Sequence, residues 1–162
     1  MATTTIKAIR DRIVAVVEAT APTVHPELPF DAYLDEGGAD FRRWARSHPA
    51  VCTRRVQVRT VSLGETPDVS NTDVEARLVT FEIVVAYAKR WRAGASLDRD
   101  DTMERDQMQI EHAVGMFGRA NFTPPTFPDA CWVSGEVEQE LDDDKVDFLV
   151  ITQTMQFYRA FP

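Results

Sequence analysis

Val146-Asp-Phe-Leu-Val-Ile-Thr-Gln-Thr-Met-Gln-Phe-Tyr-Arg-Ala-Phe-Pro162 closes the chain and decides how the rest is read. It is rich in β-branched and aromatic residues, has no Gly and no interior Pro, and reads as one long β-strand. An ordinary strand runs about five or six residues. Its two faces differ. Leu149, Ile151, Met155 and Phe157 share one parity; Val146, Phe148, Val150 and Tyr158 share the other, with Thr152, Thr154 and Gln156 between them. A strand apolar on both faces needs cover on both sides. With few helices available in the chain, a second subunit is the expected cover for Phe148, Val150 and Tyr158.

Working outward, Asp142 to Lys145 is a turn and Cys131 to Leu141 is the partner arm of a hairpin. Along that arm Glu136, Glu138, Glu140 and Asp142 share one parity. Val133, Val137 and Leu141 share the other, which is the expected core side. A row of carboxylates along a strand does not converge on one point, as a cation site requires. It reads as an outward acidic stripe that is solvated or faces a partner.

A second long hairpin precedes this one. Cys52 to Leu63 reads as a strand, and Val74 to Trp91 as another in which Val79, Phe81, Ile83, Val85 and Tyr87 alternate strictly, with Thr80 and Glu82 on the other side. The polar segment 64–75, with Gly64, Pro67, Ser70 and Asn71, reads as a mobile projecting loop. Two helices complete the pattern. Ile6, Ile9, Ile13, Val16 and Val17 follow helical spacing after a cap at Thr3, Thr4 or Thr5, and Pro22 ends the run. Met103, Ile110, Val114 and Phe117 stripe a second helix over 98–117 that opens on Asp98, Asp100 and Asp101. The stretch 21–31, with three prolines, is an extended connection. The stretch 31–47 is ambiguous, Phe41 to Trp44 allowing a short helical turn. The order predicts an α+β fold: one domain over 1–162, an antiparallel sheet of at least four strands, and the two helices on one face.

The chain has 162 residues and a net charge of −8, unevenly spread. Residues 1–92 hold 13 basic and 12 acidic side chains; residues 93–162 hold 5 and 14. Arg42, Arg43, Arg46, Arg54, Arg55 and Arg59 fall in a stretch, 41–64, without an acid. Segregated charge favours contact between unlike patches, although two unrelated solvated patches would give the same pattern. Arginines beside Trp44 are also a nucleic-acid pattern, but the acidic balance of the chain argues against a dedicated binder.

No apolar run approaches the length that spans a bilayer. The first residues lack the charged start and apolar block of a signal peptide, so the protein is expected to be made and kept in a cytoplasm unless a machine exports it. Cys52 and Cys131 are expected to be separate reduced thiols. His25, His48 and His112 lie far apart, outside any metal-ligand spacing, and there is no phosphate-binding glycine loop or nucleophile elbow. No catalytic residue, cofactor or metal is assigned.

Ile6–Val17, Val56–Tyr87, Met103–Phe117 and Trp132–Phe157, taken in order, resemble the tail terminator proteins of long-tailed bacteriophages and phage-like particles: a first helix, a long hairpin, a second helix and closing strands. The resemblance rests on element order and length, and no functional residue transfers through it. It implies a structural virion protein, not an enzyme, assembled in the host cytoplasm and placed at the head–tail junction. It implies a homo-oligomeric ring, typically a hexamer, that caps the tail tube and joins it to a head-completion or connector protein, with DNA passing through without specific binding and no membrane involved. Interface candidates are then Arg54, Arg55, Arg59, Glu136, Glu138, Glu140, Phe148, Val150 and Tyr158. Loop acids Glu65, Asp68, Asp73 and Glu75 become candidates to face the tube or channel. Other head–tail connector, neck and tail-completion proteins look similar at this level. From a different class, a small α+β ligand-binding protein or enzyme would enclose a pocket near Tyr87, His112 and Trp132.

Overall fold

The computed structural model describes residues 5–34, 40–65, 74–89, 99–120, 130–141 and 144–160, with side chains described for 5–34, 40–64, 78–89, 101–115, 135–141 and 144–155. It is α+β. The elements are α1 Ile6–Glu18, β1 Asp31–Ala32, α2 Phe41–Ser47, β2 Arg55–Glu65, β3 Val74–Ala88, α3 Arg99–Ala120, β4 Ala130–Glu140 and β5 Val146–Ala160. The five strands form one sheet in the order β1-β2-β3-β5-β4. All neighbours are antiparallel except the two-residue β1, which lies parallel to β2.

The two longest strands, β3 and β5, lie side by side at the centre. They pair along their whole length, from Val74↔Ala160 to Ala88↔Val146. The closing strand is therefore long because it spans the full height of the sheet. Each hairpin contributes one central strand and one edge strand, and each edge strand carries an irregularity, between Thr60 and Ser62 on β2 and between Trp132 and Ser134 on β4. Bulges bend a strand and add twist. These two flank the same cross-sheet row, Thr80↔Thr154, where the two hydroxyls lie 3.0 Å apart.

On one face α1 and α3 cover the sheet. Thr5 caps α1 by accepting from the Ala8 N–H at 3.1 Å. Ile9, Ile13 and Val17 of α1 and Met103, Ile110 and Val114 of α3 are buried against Val79, Phe81, Ile83, Val85, Tyr87, Leu149, Ile151 and Met155. This is the layer that the alternation in both long strands predicts. Val137 of β4 packs at its margin, as its parity requires. Leu141 does not; it lies past the end of β4 and is 40% exposed.

The opposite face overturns one expectation. Phe148 and Val150 are not left for another subunit: they are 1% and 5% exposed beneath α2 of the same chain. Phe41 and Ala45 of α2 join Cys52, Val84, Ala86, Ala88, Val146, Phe148 and Val150 in a second core, with Tyr33 and Trp44 packed on it. The end of the ambiguous segment, Phe41–Ser47, is thus a genuine helix, and its first two residues are β1. Asp40 caps the helix by accepting from the Arg42 N–H at 3.0 Å. Its seven residues are too few to form a stable helix alone, so burial of Phe41 and Ala45 holds it. Tyr158 occupies the same face by strand register; its side chain lies outside the described residues.

Several boundaries also move. Gly64 and Glu65 extend β2, and Val74 and Glu75 begin β3. The remaining positions of the expected loop, with Asp68 and Asp73, lie outside the described residues, as do the side chains of Glu65, Glu75, Phe117 and Cys131.

Candidate functional site

Arg54 is the clearest departure from the reading of the arginine-rich stretch as one surface. It sits just before β2 with φ 60° and is fully buried. Its guanidinium holds Asp106 of α3 through two bonds, Nε to Oδ2 at 2.7 Å and Nη2 to Oδ1 at 2.9 Å. The other three donors reach backbone carbonyls of the proline-rich connection: His25 at 2.7 Å and Leu28 at 2.8 Å from Nη1, and Val24 at 2.5 Å from Nη2. All five donors of the guanidinium are used. Tyr87 of β3 donates its hydroxyl to Asp106 Oδ2 at 2.8 Å, and Phe30 lies 5.5 Å beneath the guanidinium. Burial pushes the Asp106 carboxyl up against the opposing pull of Arg54. Burial, then the adjoining Asp106, push the Tyr87 phenol well above its ordinary value. A buried arginine with no spare donor is a rivet joining connection, sheet and α3; Arg54 is therefore removed from the interface candidates.

The face under α2 carries a different arrangement. Arg42 grips Glu140 of β4 with Nε to Oε2 at 3.0 Å and Nη2 to Oε1 at 2.8 Å, and its Nη1 lies 3.5 Å from Glu82 Oε1 of β3. Arg59 of β2 donates to the same Glu82 oxygen at 2.9 Å from Nε and 2.8 Å from Nη2. The result is a line of alternating charge, Arg59–Glu82–Arg42–Glu140, running from one edge hairpin to the other. Hydrogen bonding to Glu140 holds the Arg42 guanidinium above its ordinary value. Arg42 and Arg46 also lie over the Phe148 ring, at 5.8 and 5.6 Å from its centroid. Trp44 stacks on His48 at 5.2 Å, so Arg42, Arg46 and Trp44 are all engaged within the chain. Arg55 pairs with Asp31 of β1. Glu136 and Glu138 remain exposed on β4.

Both sheet edges are open among the described residues. β1 covers β2 only at Arg55 and Val56, and its last bond runs from the Tyr33 N–H to the Val56 carbonyl at 2.7 Å. From Gln57 to Glu65 no described residue pairs with the outer side of β2, and none pairs with the outer side of β4. Beside β2 runs a groove of about 520 Å³ lined by Arg10, Val14, Tyr33, Leu34, Gln57 and Arg59 among others. Leu34 at its rim and Val61 and Leu63 on the strand are 75%, 51% and 59% exposed.

Tyr87 is locked in the buried rivet, while His112 is exposed on α3, so these two candidates for an enclosed pocket do not meet. Trp132 lies in β4 with its side chain outside the described residues. Among the described residues no three His, Cys, Asp or Glu side chains gather as metal ligands would, and no described helix is long and apolar enough to cross a membrane. Cys52 is a free, buried thiol. Asp106 and Glu82, which organise the two polar clusters, were not distinguishable in sequence from other helix and strand acids. No protein-family model matches the chain, and no curated protein matches it.

Proposed function

We propose that this chain is a structural ring subunit, a tail terminator at the head–tail junction of a phage or phage-like particle. The two edges of one sheet, both open among the described residues, carry the reading. An edge strand is a template for another chain, and two different edges on one subunit suit repeated head-to-tail contacts that close into a ring. The ring would cap the tail tube, meet a head-completion or connector protein on its other side, and let DNA through without specific binding. The acids at 65, 68, 73 and 75 would keep such a channel repellent to phosphate. In this reading the protein has no turnover chemistry or cofactor and works within the virion. The nearest alternative is another head–tail connector, neck or tail-completion protein of the same junction.

The test is tube capping. Purified protein mixed with growing tail tubes should stop elongation and appear as a ring at one tube end by electron microscopy. Tubes that lengthen unchanged, with no density at their ends, would overturn the assignment.

A further inference from the structure

The geometry points to the partner of each open edge: the outer side of β2 in one copy pairs, antiparallel, with the outer side of β4 in the next. This deepens the ring reading and rests on it for the number of copies, but the pairing itself follows from register.

Four antiparallel strands carry levels across the sheet. Arg59 pairs with Glu82, Glu82 with Thr152, and Thr152 with Glu136, so Arg59 and Glu136 stand at the same height on opposite edges. By the same route Gln57 is level with Glu138, through Val84 and Val150. All of these lie on the α2 face. A rotation about an axis along the strands keeps both height and face. It would therefore bring Arg59 opposite Glu136 and Gln57 opposite Glu138.

Backbone direction agrees. The Val56 carbonyl points out to β1, so alternation turns the N–H and C=O of Val58 and Thr60 outward as well. Val58 is level with Val137 through Ile83 and Ile151, and alternation across the strands turns Val137 outward too. The two edges thus offer, at matching heights, backbone groups that no described residue pairs. On the other face exposed Leu63 is level, through Val79 and Met155, with position 132, a Trp.

Charge selects this pair over its competitors. Two β4 edges related by a two-fold axis would set Glu136 and Glu138 rows against each other, and like charges directly opposed are destabilising. β2 against β4 instead extends the alternating line: Glu136 of the next copy joins Arg59, Glu82, Arg42 and Glu140. β1 blocks the upper end of β2 and so fixes where the incoming strand stops.

The test is cysteine cross-linking in a Cys131→Ser background, Cys52 being buried. Opposed residues in such a pair stand about 4.5–5.5 Å apart at Cα, within disulfide reach. Under mild oxidation the double variant Gln57→Cys/Glu138→Cys should give a ladder of covalent oligomers ending at one closed species. Each single variant alone should give none, and an equal mixture of the two should stop at dimers. Separately, Glu136→Arg should weaken self-association about tenfold, by replacing an attractive cross-strand pair with a repulsive one. Absence of cross-links from a double variant that melts like its parent when reduced would overturn the pairing, as would dimers from Glu138→Cys alone. Capping of tubes without a ladder would retain the terminator and remove this interface. A ladder without capping would retain the interface and remove the terminator.

Discussion

Arg54 and Asp106, 52 residues apart in sequence, form a bidentate ion pair with neither side chain exposed. The pair joins the entry to β2 to the middle of α3, and Tyr87 and three backbone carbonyls complete its shell. Taking two charges out of water is expensive, but breaking such a pair leaves one of them buried alone.

Asp106→Asn or Arg54→Leu should therefore destabilise the protein by about 3–5 kcal/mol. The measurement is the urea midpoint at constant slope. Arg54→Lys should recover little, because an ammonium has three donors where five are used. Full stability of Arg54→Lys would show that the carbonyl contacts contribute nothing.

Val150 separates the two accounts of the face under α2. Glu in its place would put a charge in a site 5% exposed, and Val150→Glu should lower stability by about 3 kcal/mol or more and yield little folded protein. Circular dichroism of the purified variant reads this directly. A variant that melts normally but fails to assemble would return the face to a neighbouring subunit.

Phe41 is the main anchor of α2, meeting Phe148, Tyr33 and Trp44. Phe41→Ala should cost about 3–5 kcal/mol and loosen α2 over the Cys52 thiol, which is buried in the same cluster. In a Cys131→Ser background, modification of Cys52 by a thiol reagent should be at least tenfold faster than in the parent. An unchanged rate would mean that α2 stays in place without its anchor.

Alkaline pH should weaken the fold in two stages. Burial pushes the Cys52 thiol from its ordinary 9.0 up to about 11. The folded pKa exceeds the unfolded one, so this contribution is fully present below pH 9 and is lost as pH rises through 11. The gap corresponds to about 3 kcal/mol. Tyr87, pushed up by burial and by Asp106, extends the loss above pH 10. Cys52→Ala should flatten the stability profile between pH 9 and 11. An unchanged slope in that variant would assign the loss to other groups.

Much of the fold was legible because its signals are local. Val79 to Tyr87 alternate at period two and Ile6 to Val17 recur at helical spacing, and each pattern has one reading. Parity along β5 correctly divided Leu149, Ile151 and Met155 from Phe148 and Val150. The acidic parity of β4 likewise placed Glu136 and Glu138 outside. The candidate surface was legible only in part. Arg54, Arg55 and Arg59 look alike in sequence, yet one is buried, one meets β1 and one pairs with Glu82 of β3.

The sequence by itself determined the number and length of the hairpins, the helix that opens the chain and which residues share a face. These are properties of neighbouring residues and need no partner. Only the tertiary structure decided what covers each face. Seven residues at α2 have too little local preference to declare themselves, and the second core beneath them makes the helix. It also decided which charges are spent inside the chain and which remain at an edge. Asp106 captures Arg54, and Arg42 joins Glu82 and Glu140, whereas Glu136 and Glu138 stay exposed at the height of Arg59 and Gln57. Pairing between charges distant in sequence depends on strand order, and strand order is set by long-range packing that residue spacing does not carry.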